Sequence, residues 1–84
     1  MRVVLAPPAR NSLRRLPADR RQQIMYRIHA VDAAAGRAGD VKRLAGSNLF
    51  RLRVGDYRVL FALDPASQVM TVELIRTRGD VYKR

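Results

Sequence analysis

The sequence has no cysteine, a single histidine and only seven acidic residues against seventeen lysines and arginines in 84 positions. Without cysteine, disulfides and thiolate metal sites are excluded. The lone His29 lies off the apolar stripe of its segment and reads as a solvated side chain rather than a metal ligand. Long apolar runs are missing as well. The first residues, Met1 to Pro8, lack the stretch a signal peptide needs, and no run approaches the roughly 20 residues of a membrane span. Repeats and low-complexity segments are absent. The expected compartment is the cytoplasm, with no membrane partner.

What is present is cationic. The formal charge is +10, and fifteen of the seventeen basic residues are arginine. Such a balance argues for an anionic partner, nucleic acid first, held by contacts that weaken steeply with salt. The plainer reading is an arginine-rich surface that is merely solvated. The length predicts one small domain spanning residues 1–84, of a size that buries only about 60% of the surface its unfolded chain exposes.

The chain is organised around Leu49 to Phe61, two alternating runs joined by Gly55-Asp56, which is a strong short-range hairpin signal. That loop sets Val54 opposite Tyr57, Arg53 opposite Arg58, Leu52 opposite Val59, Arg51 opposite Leu60 and Phe50 opposite Phe61. Faces alternate along a strand, so Phe50, Leu52, Val54, Tyr57, Val59 and Phe61 make a core face. Arg51, Arg53 and Arg58 collect on the other face beside Leu49 and Leu60. Arg53 opposite Arg58 is a like-charge pair, costing from a few tenths to about 1 kcal/mol when nothing anionic lies between them. The cluster makes better sense as a site than as a stabiliser.

Val3 to Ala6 reads as a first strand, stopped by Pro7-Pro8. Pro8 can open a helix in which Ala9, Leu13 and Leu16 recur at helical spacing, and Pro17 ends it. Pro17 also suits the first turn of a second helix, with Ile24, Ile28, Val31 and Ala35 as its buried stripe and Gly36 as its stop. Arg10, Arg14, Arg15, Arg20, Arg21 and Arg27 line the solvated sides of the two helices, where they could also track a nucleic-acid backbone. Gly36 to Gly46, with three glycines, reads as a surface loop. Asp64 to Gln68 is turn chemistry before a last strand, Val69 to Thr77. If the loop is Pro65 to Gln68, Leu63, Phe61 and Val59 pair with Met70, Val72 and Leu74 on the core face. Ala62, Leu60 and Arg58 then pair with Thr71, Glu73 and Ile75 on the other; a slip of one residue exchanges the two sets, and the sequence alone allows either. The predicted fold is α+β, β-α-α-β-β-β, an antiparallel sheet with two helices packed on one face. Leu49, Leu60, Ala62 and Ile75 are left as an apolar patch beside the arginines, suited to a partner's helix or strand.

The run Lys42-Arg43-Leu44-Ala45-Gly46, the block Arg51-Leu52-Arg53-Val54-Gly55-Asp56-Tyr57-Arg58 and the ending Arg78-Gly79-Asp80-Val81-Tyr82 resemble the RelE/ParE superfamily of type II toxin–antitoxin toxins. The match covers essentially the whole chain, and the predicted order of elements is also that family's. The RelE-like branch implies a ribosome-dependent endoribonuclease that cuts mRNA without a metal or small-molecule cofactor and leaves a 2′,3′-cyclic phosphate. Carried over by position, the resemblance assigns catalysis to Arg51, Arg53, Arg58, Arg78 and Tyr82. It implies RNA contacts at Lys42, Arg43, Arg76, Lys83 and Arg84, and an acidic antitoxin lying across Leu49, Leu60 and Ile75.

Attack by a ribose 2′-hydroxyl needs a base, charge stabilisation at the phosphorane and a proton for the leaving 5′-oxygen. Arg58 and Arg78 suit bidentate phosphate binding. Tyr82, ordinarily titrating near about 10, would serve as base if neighbouring arginines favour its phenolate; its plainer role is an aromatic anchor for the tail. Tyr26 and Tyr57 read as packing residues, Asp56 and Gly55 as turn residues, and Asp80 as an orienting group for an arginine or the tail. Two other function classes stay open: a ParE-like inhibitor of DNA gyrase with no nuclease chemistry, and an inactive module that only binds nucleic acid. Translation arrest with cut mRNA separates the first reading from the gyrase reading, and an acidic protein encoded next door separates both from the third.

Overall fold

In a computed structural model that describes residues 2–31 and 41–77, the Leu49–Phe61 segment forms the predicted hairpin. Strand β3, Leu49–Val54, runs antiparallel to β4, Tyr57–Asp64, with the five cross-strand pairs read from the sequence and a sixth, Leu49 opposite Ala62. Of the two turn residues only Gly55 takes positive φ, at 59°, the pattern of a type II′ turn whose twist matches the strands it joins. Phe50 and Phe61 face each other on the core side with ring centroids 5.6 Å apart, nearly parallel.

Around the hairpin the elements run β1 (Arg2–Leu5), α1 (Pro7–Arg14), α2 (Ala18–Ala30), β2 (Val41–Arg43), β3, β4 and β5 (Val69–Thr77). The sheet order is β1-β5-β4-β3-β2. Strands β2 to β5 pair antiparallel and β1 lies parallel to β5, so the five-stranded sheet is mixed rather than purely antiparallel. The β1-to-β5 pairing explains why: the two helices return the chain across one face of the sheet, which lets its first strand lie parallel to its last. Arg2 N–H donates to the Gln68 carbonyl at 2.9 Å and Ala6 N–H to that of Val72 at 2.8 Å, fixing both ends of β1.

The prolines punctuate the helices. Pro7 and Pro8 occupy the first turn of α1, where their missing N–H groups leave no helical bond unmade. Pro17, expected inside the first turn of α2, is its N-cap, and its carbonyl accepts from Arg21 N–H at 3.0 Å. The second helix is shorter than its apolar stripe suggested: it stops at Ala30, and Val31 is buried as an extended cap. Ala35 and Gly36 lie outside the described residues. Ala9, Leu13, Ile24 and Ile28 come down onto Leu52, Val54, Val59, Phe61, Met70, Val72 and Ile75 to form one core between the helices and one sheet face.

Two further readings are corrected. Within the predicted surface loop, Val41–Arg43 forms β2, an edge strand: Val41 opposes Leu52 and is buried, and so belongs to the core. The β4–β5 register holds as predicted from Leu63–Met70 to Phe61–Val72 and then slips at a bulge beside Leu60 and Phe61. Past it Leu60 opposes Leu74, Val59 opposes Ile75, and Arg58 opposes Arg76. A bulge adds one residue to one strand and exchanges the faces of everything beyond it. Ile75, expected on the outer face, is therefore in the core at 4% exposure, while Leu74, expected in the core, is half-buried on the outer face.

Candidate functional site

The outer face, away from the helices, is assembled in cross-strand rows. One row runs Arg53, Arg58, Arg76 across β3, β4 and β5; the next runs Lys42, Arg51, Leu60, Leu74 across β2 to β5; a third runs Leu49, Ala62, Thr71, Val4 from β3 to β1. Directly opposed residues in such rows have Cβ atoms about 4.5–5.5 Å apart. The three arginines thus span two strand spacings, about 10 Å, at one end of the sheet.

Among the described residues no side chain of Lys42, Arg51, Arg53, Arg58 or Arg76 has a hydrogen-bond or ion-pair partner. Arg58 is flanked by a like charge on either side and is itself half-buried, while Arg53 and Arg76 are exposed. The Nε of half-buried Arg51 is shielded from solvent with no acceptor. A shielded guanidinium donor without an acceptor costs about 1–3 kcal/mol, and more where it carries charge. An array that opposes its own charges and leaves a donor unmet is completed by an anion with several acceptor oxygens, and phosphate meets that description. No group of side chains fit to hold a metal ion occurs among the described residues.

The structure brings Arg51, Arg53 and Arg58 together on this face as the hairpin geometry predicted, with Lys42 beside Arg51. Arg76, read from the resemblance only as an RNA contact, completes the arginine row. Arg43 does not join them: it opposes Phe50 on the helix side of the sheet edge, is exposed, and lines an open depression with Leu44, Ala45, Gly46, Ser47 and Asn48. Arg78, Tyr82, Lys83 and Arg84 lie outside the described residues, as does Asp80. Of the apolar set, Leu49 and Leu60 are half-buried on the outer face and Ile75 is not there; Leu74 stands in its place. The missed signal was the run Val72-Glu73-Leu74-Ile75, in which two consecutive apolar residues break the strand alternation.

No family model and no curated protein matches the sequence. Solved structures do match. A chain of the archaeal RelE–RelB complex from Pyrococcus horikoshii superposes with TM-score 0.75 and 26% identity, over 93% of this chain and 94% of that one. The fold is that of the RelE/ParE toxin superfamily. The isolated E. coli RelE toxin aligns at TM-score 0.74 and 15% identity over 90% of this chain and 82% of its own. A YoeB/ParE toxin from Agrobacterium tumefaciens aligns at 0.71 and 18%, covering 92% of this chain and 98% of that one. RelE structures recur among these neighbours. No helix among the described residues is long and apolar enough to cross a membrane.

Proposed function

We propose that this chain is the toxin of a type II toxin–antitoxin system, a cytoplasmic endoribonuclease that cuts mRNA on the ribosome by attack of a ribose 2′-hydroxyl. The observation that carries this reading is the row Arg53, Arg58, Arg76 beside Arg51, four guanidinium groups on one sheet face with no acidic partner among the described residues. Three parallel readers of phosphate oxygens hold an RNA backbone in register, and the central one, Arg58, is placed to meet charge developing on the phosphorane. Fixed donors aimed at developing charge account for factors of about 10²–10³ each in comparable reactions. Arg51 holds the neighbouring backbone segment, with Lys42 beside it. Arg78 follows Thr77, the last residue of β5, in the sequence and is assigned the second phosphate clamp, with Tyr82 as the base for the 2′-hydroxyl. Lys83 and Arg84 are assigned to flanking phosphates, and Arg43 to RNA at the opposite edge.

The toxin reading includes an acidic antitoxin on the same face. Leu49, Leu60, Ala62 and Leu74 give an amphipathic helix or strand an apolar strip that begins at Leu60, directly opposite Arg51, so antitoxin and RNA compete for one surface. The four solved RelE–RelB complexes with this fold support a protein partner of that kind.

Primer-extension mapping of a reporter mRNA in a translation extract tests the proposal. The expected result is a set of discrete cuts on translating ribosomes only, lost in Arg58→Ala and Arg78→Ala and strongly reduced in Tyr82→Phe. The likeness to a YoeB/ParE toxin keeps a gyrase inhibitor as the second reading. Intact mRNA in an extract whose translation is unaffected, together with inhibition of gyrase supercoiling, would establish it instead.

A further inference from the structure

Among the described residues, one acid stands within the apolar strip of the outer face, and the arginine site does not use it. The bulge leaves β5 with one residue more than β4 between the pairs Phe61–Val72 and Leu60–Leu74, and that residue is Glu73. Alternation forward from buried Val72 puts Glu73 on the outer face, and alternation back from buried Ile75 puts Leu74 there as well. Both therefore stand against Leu60, as two residues of a bulge oppose one. The neighbours of Glu73 on this face carry no charge: Leu74 and Thr71 on its own strand, Leu60 and Ala62 on β4. Its side chain is half-buried and has no hydrogen-bond or ion-pair partner among the described residues. In a chain of net charge +10 that is a consequence of spacing. Arg51 is two strands away, about 10 Å, Arg76 is three residues along β5, again about 10 Å, and β1 ends at Leu5 opposite Val72, before it reaches Glu73.

We propose that Glu73 receives a lysine or arginine of the antitoxin and fixes the register in which that segment lies on the sheet. The inference rests on the toxin reading and on the antitoxin's place over Leu49, Leu60, Ala62 and Leu74. Covering that strip takes Glu73 out of water, and a carboxylate desolvated without a partner costs more than a neighbouring apolar contact returns. The cations of the face are too far off to meet it, so the countercharge comes from the covering chain. RNA brings only negative charge to this position; Glu73 thus favours a protein occupant where the arginines accept either. The covering segment carries acids toward Arg53, Arg58 and Arg76, apolar side chains over the leucines, and one cation beyond them. A reversed or shifted segment would set its cation against the arginine row and an acid against Glu73, two like-charge contacts that select a single orientation.

The test is calorimetric titration of the full chain with the small acidic protein encoded beside it, followed by a charge swap across the interface. Glu73→Gln, which keeps the shape and strands the antitoxin's cation, is expected to lower affinity at least about tenfold, and Glu73→Lys at least about 100-fold. Each lysine and arginine of the antitoxin is then changed to glutamate in turn. One of these changes is expected to bring affinity for Glu73→Lys back to within about tenfold of the parent pair while weakening binding to the parent chain, the signature of a direct pair. An unfolded variant cannot be rescued from the partner's side, so the swap separates binding from folding. Parent-like affinity in Glu73→Lys, or a Glu73→Lys that no charge reversal rescues, would overturn the inference and leave the toxin reading standing. Parent-like affinity in Glu73→Gln would overturn it too, since a neutral donor would then suffice. A neighbouring acidic protein that does not bind the parent chain would overturn both.

Discussion

At Arg51 stability and function pull in opposite directions. Its Nε is out of solvent and unmet, a cost that a bound phosphate removes and the free protein bears. Arg51→Met keeps the apolar stem and deletes the orphan donor. Chemical denaturation of the free chain should show it as stable as the parent or more so, by up to about 1–3 kcal/mol, while RNA affinity falls. A substitution that destabilises the free protein would mean that the guanidinium has a partner in solution. Backbone conformation gives a pair of controls away from the site. Gln68 holds φ at 60° in the turn before β5, so Gln68→Gly should raise stability by a few tenths of a kcal/mol. Gly55 needs its 59° for the hairpin and has open space where a Cβ would go, so Gly55→Ala should cost about 1–2 kcal/mol through the backbone alone.

At the scale of the element, the bulge in the β4–β5 pairing decides which side chains face outward. Ile75 belongs to the core, and Ile75→Ala should lower stability by about 2–5 kcal/mol whatever partner is present. Leu74 and Leu60, opposed on the outer face, should behave differently: Leu60→Asp/Leu74→Asp is expected to leave a cooperative melt and to abolish capture of the antitoxin, measured by co-purification from a co-expressing strain. Loss of folding there, or retained capture, would contradict the placement of the antitoxin. The β3–β4 hairpin was legible in full because a two-residue turn and strict alternation specify one register. The loop of Asp64 to Gln68 was legible for a similar reason, its Asp64 Oδ1 accepting from Ala66 N–H at 3.2 Å as an Asx turn does. The bulge was not, because alternation within either half of β5 is sound and only the junction between the halves is irregular. Strand β2 was hidden by its three-residue length between glycines, and the end of α2 by an apolar stripe continuing past the residue where the backbone turns extended. For the site, sequence adjacency found Arg51, Arg53 and Arg58; Arg76 needed the slipped register to reach their row.

Across the whole molecule, an arginine-rich chain of net charge +10 divides much of its basic surface between a sheet face and a helix layer. On the proposed function the sheet face, whose arginine row and apolar strip lie about 7 Å apart along the strands, binds an RNA backbone or an acidic amphipathic segment but not both. That arrangement makes neutralisation a matter of direct competition, and RNA affinity should fall steeply between low and physiological salt. The measurement that bears most directly on the central claim is single-turnover cleavage of mRNA on a programmed ribosome, comparing the parent chain with Arg58→Ala and a normal mRNA with one carrying a 2′-deoxy sugar at the cut nucleotide. The account predicts a product ending in a 2′,3′-cyclic phosphate, no cleavage of the 2′-deoxy substrate, and a rate at least about 10²-fold lower for Arg58→Ala. Cleavage of the 2′-deoxy substrate, or an Arg58→Ala rate equal to the parent's, would contradict it.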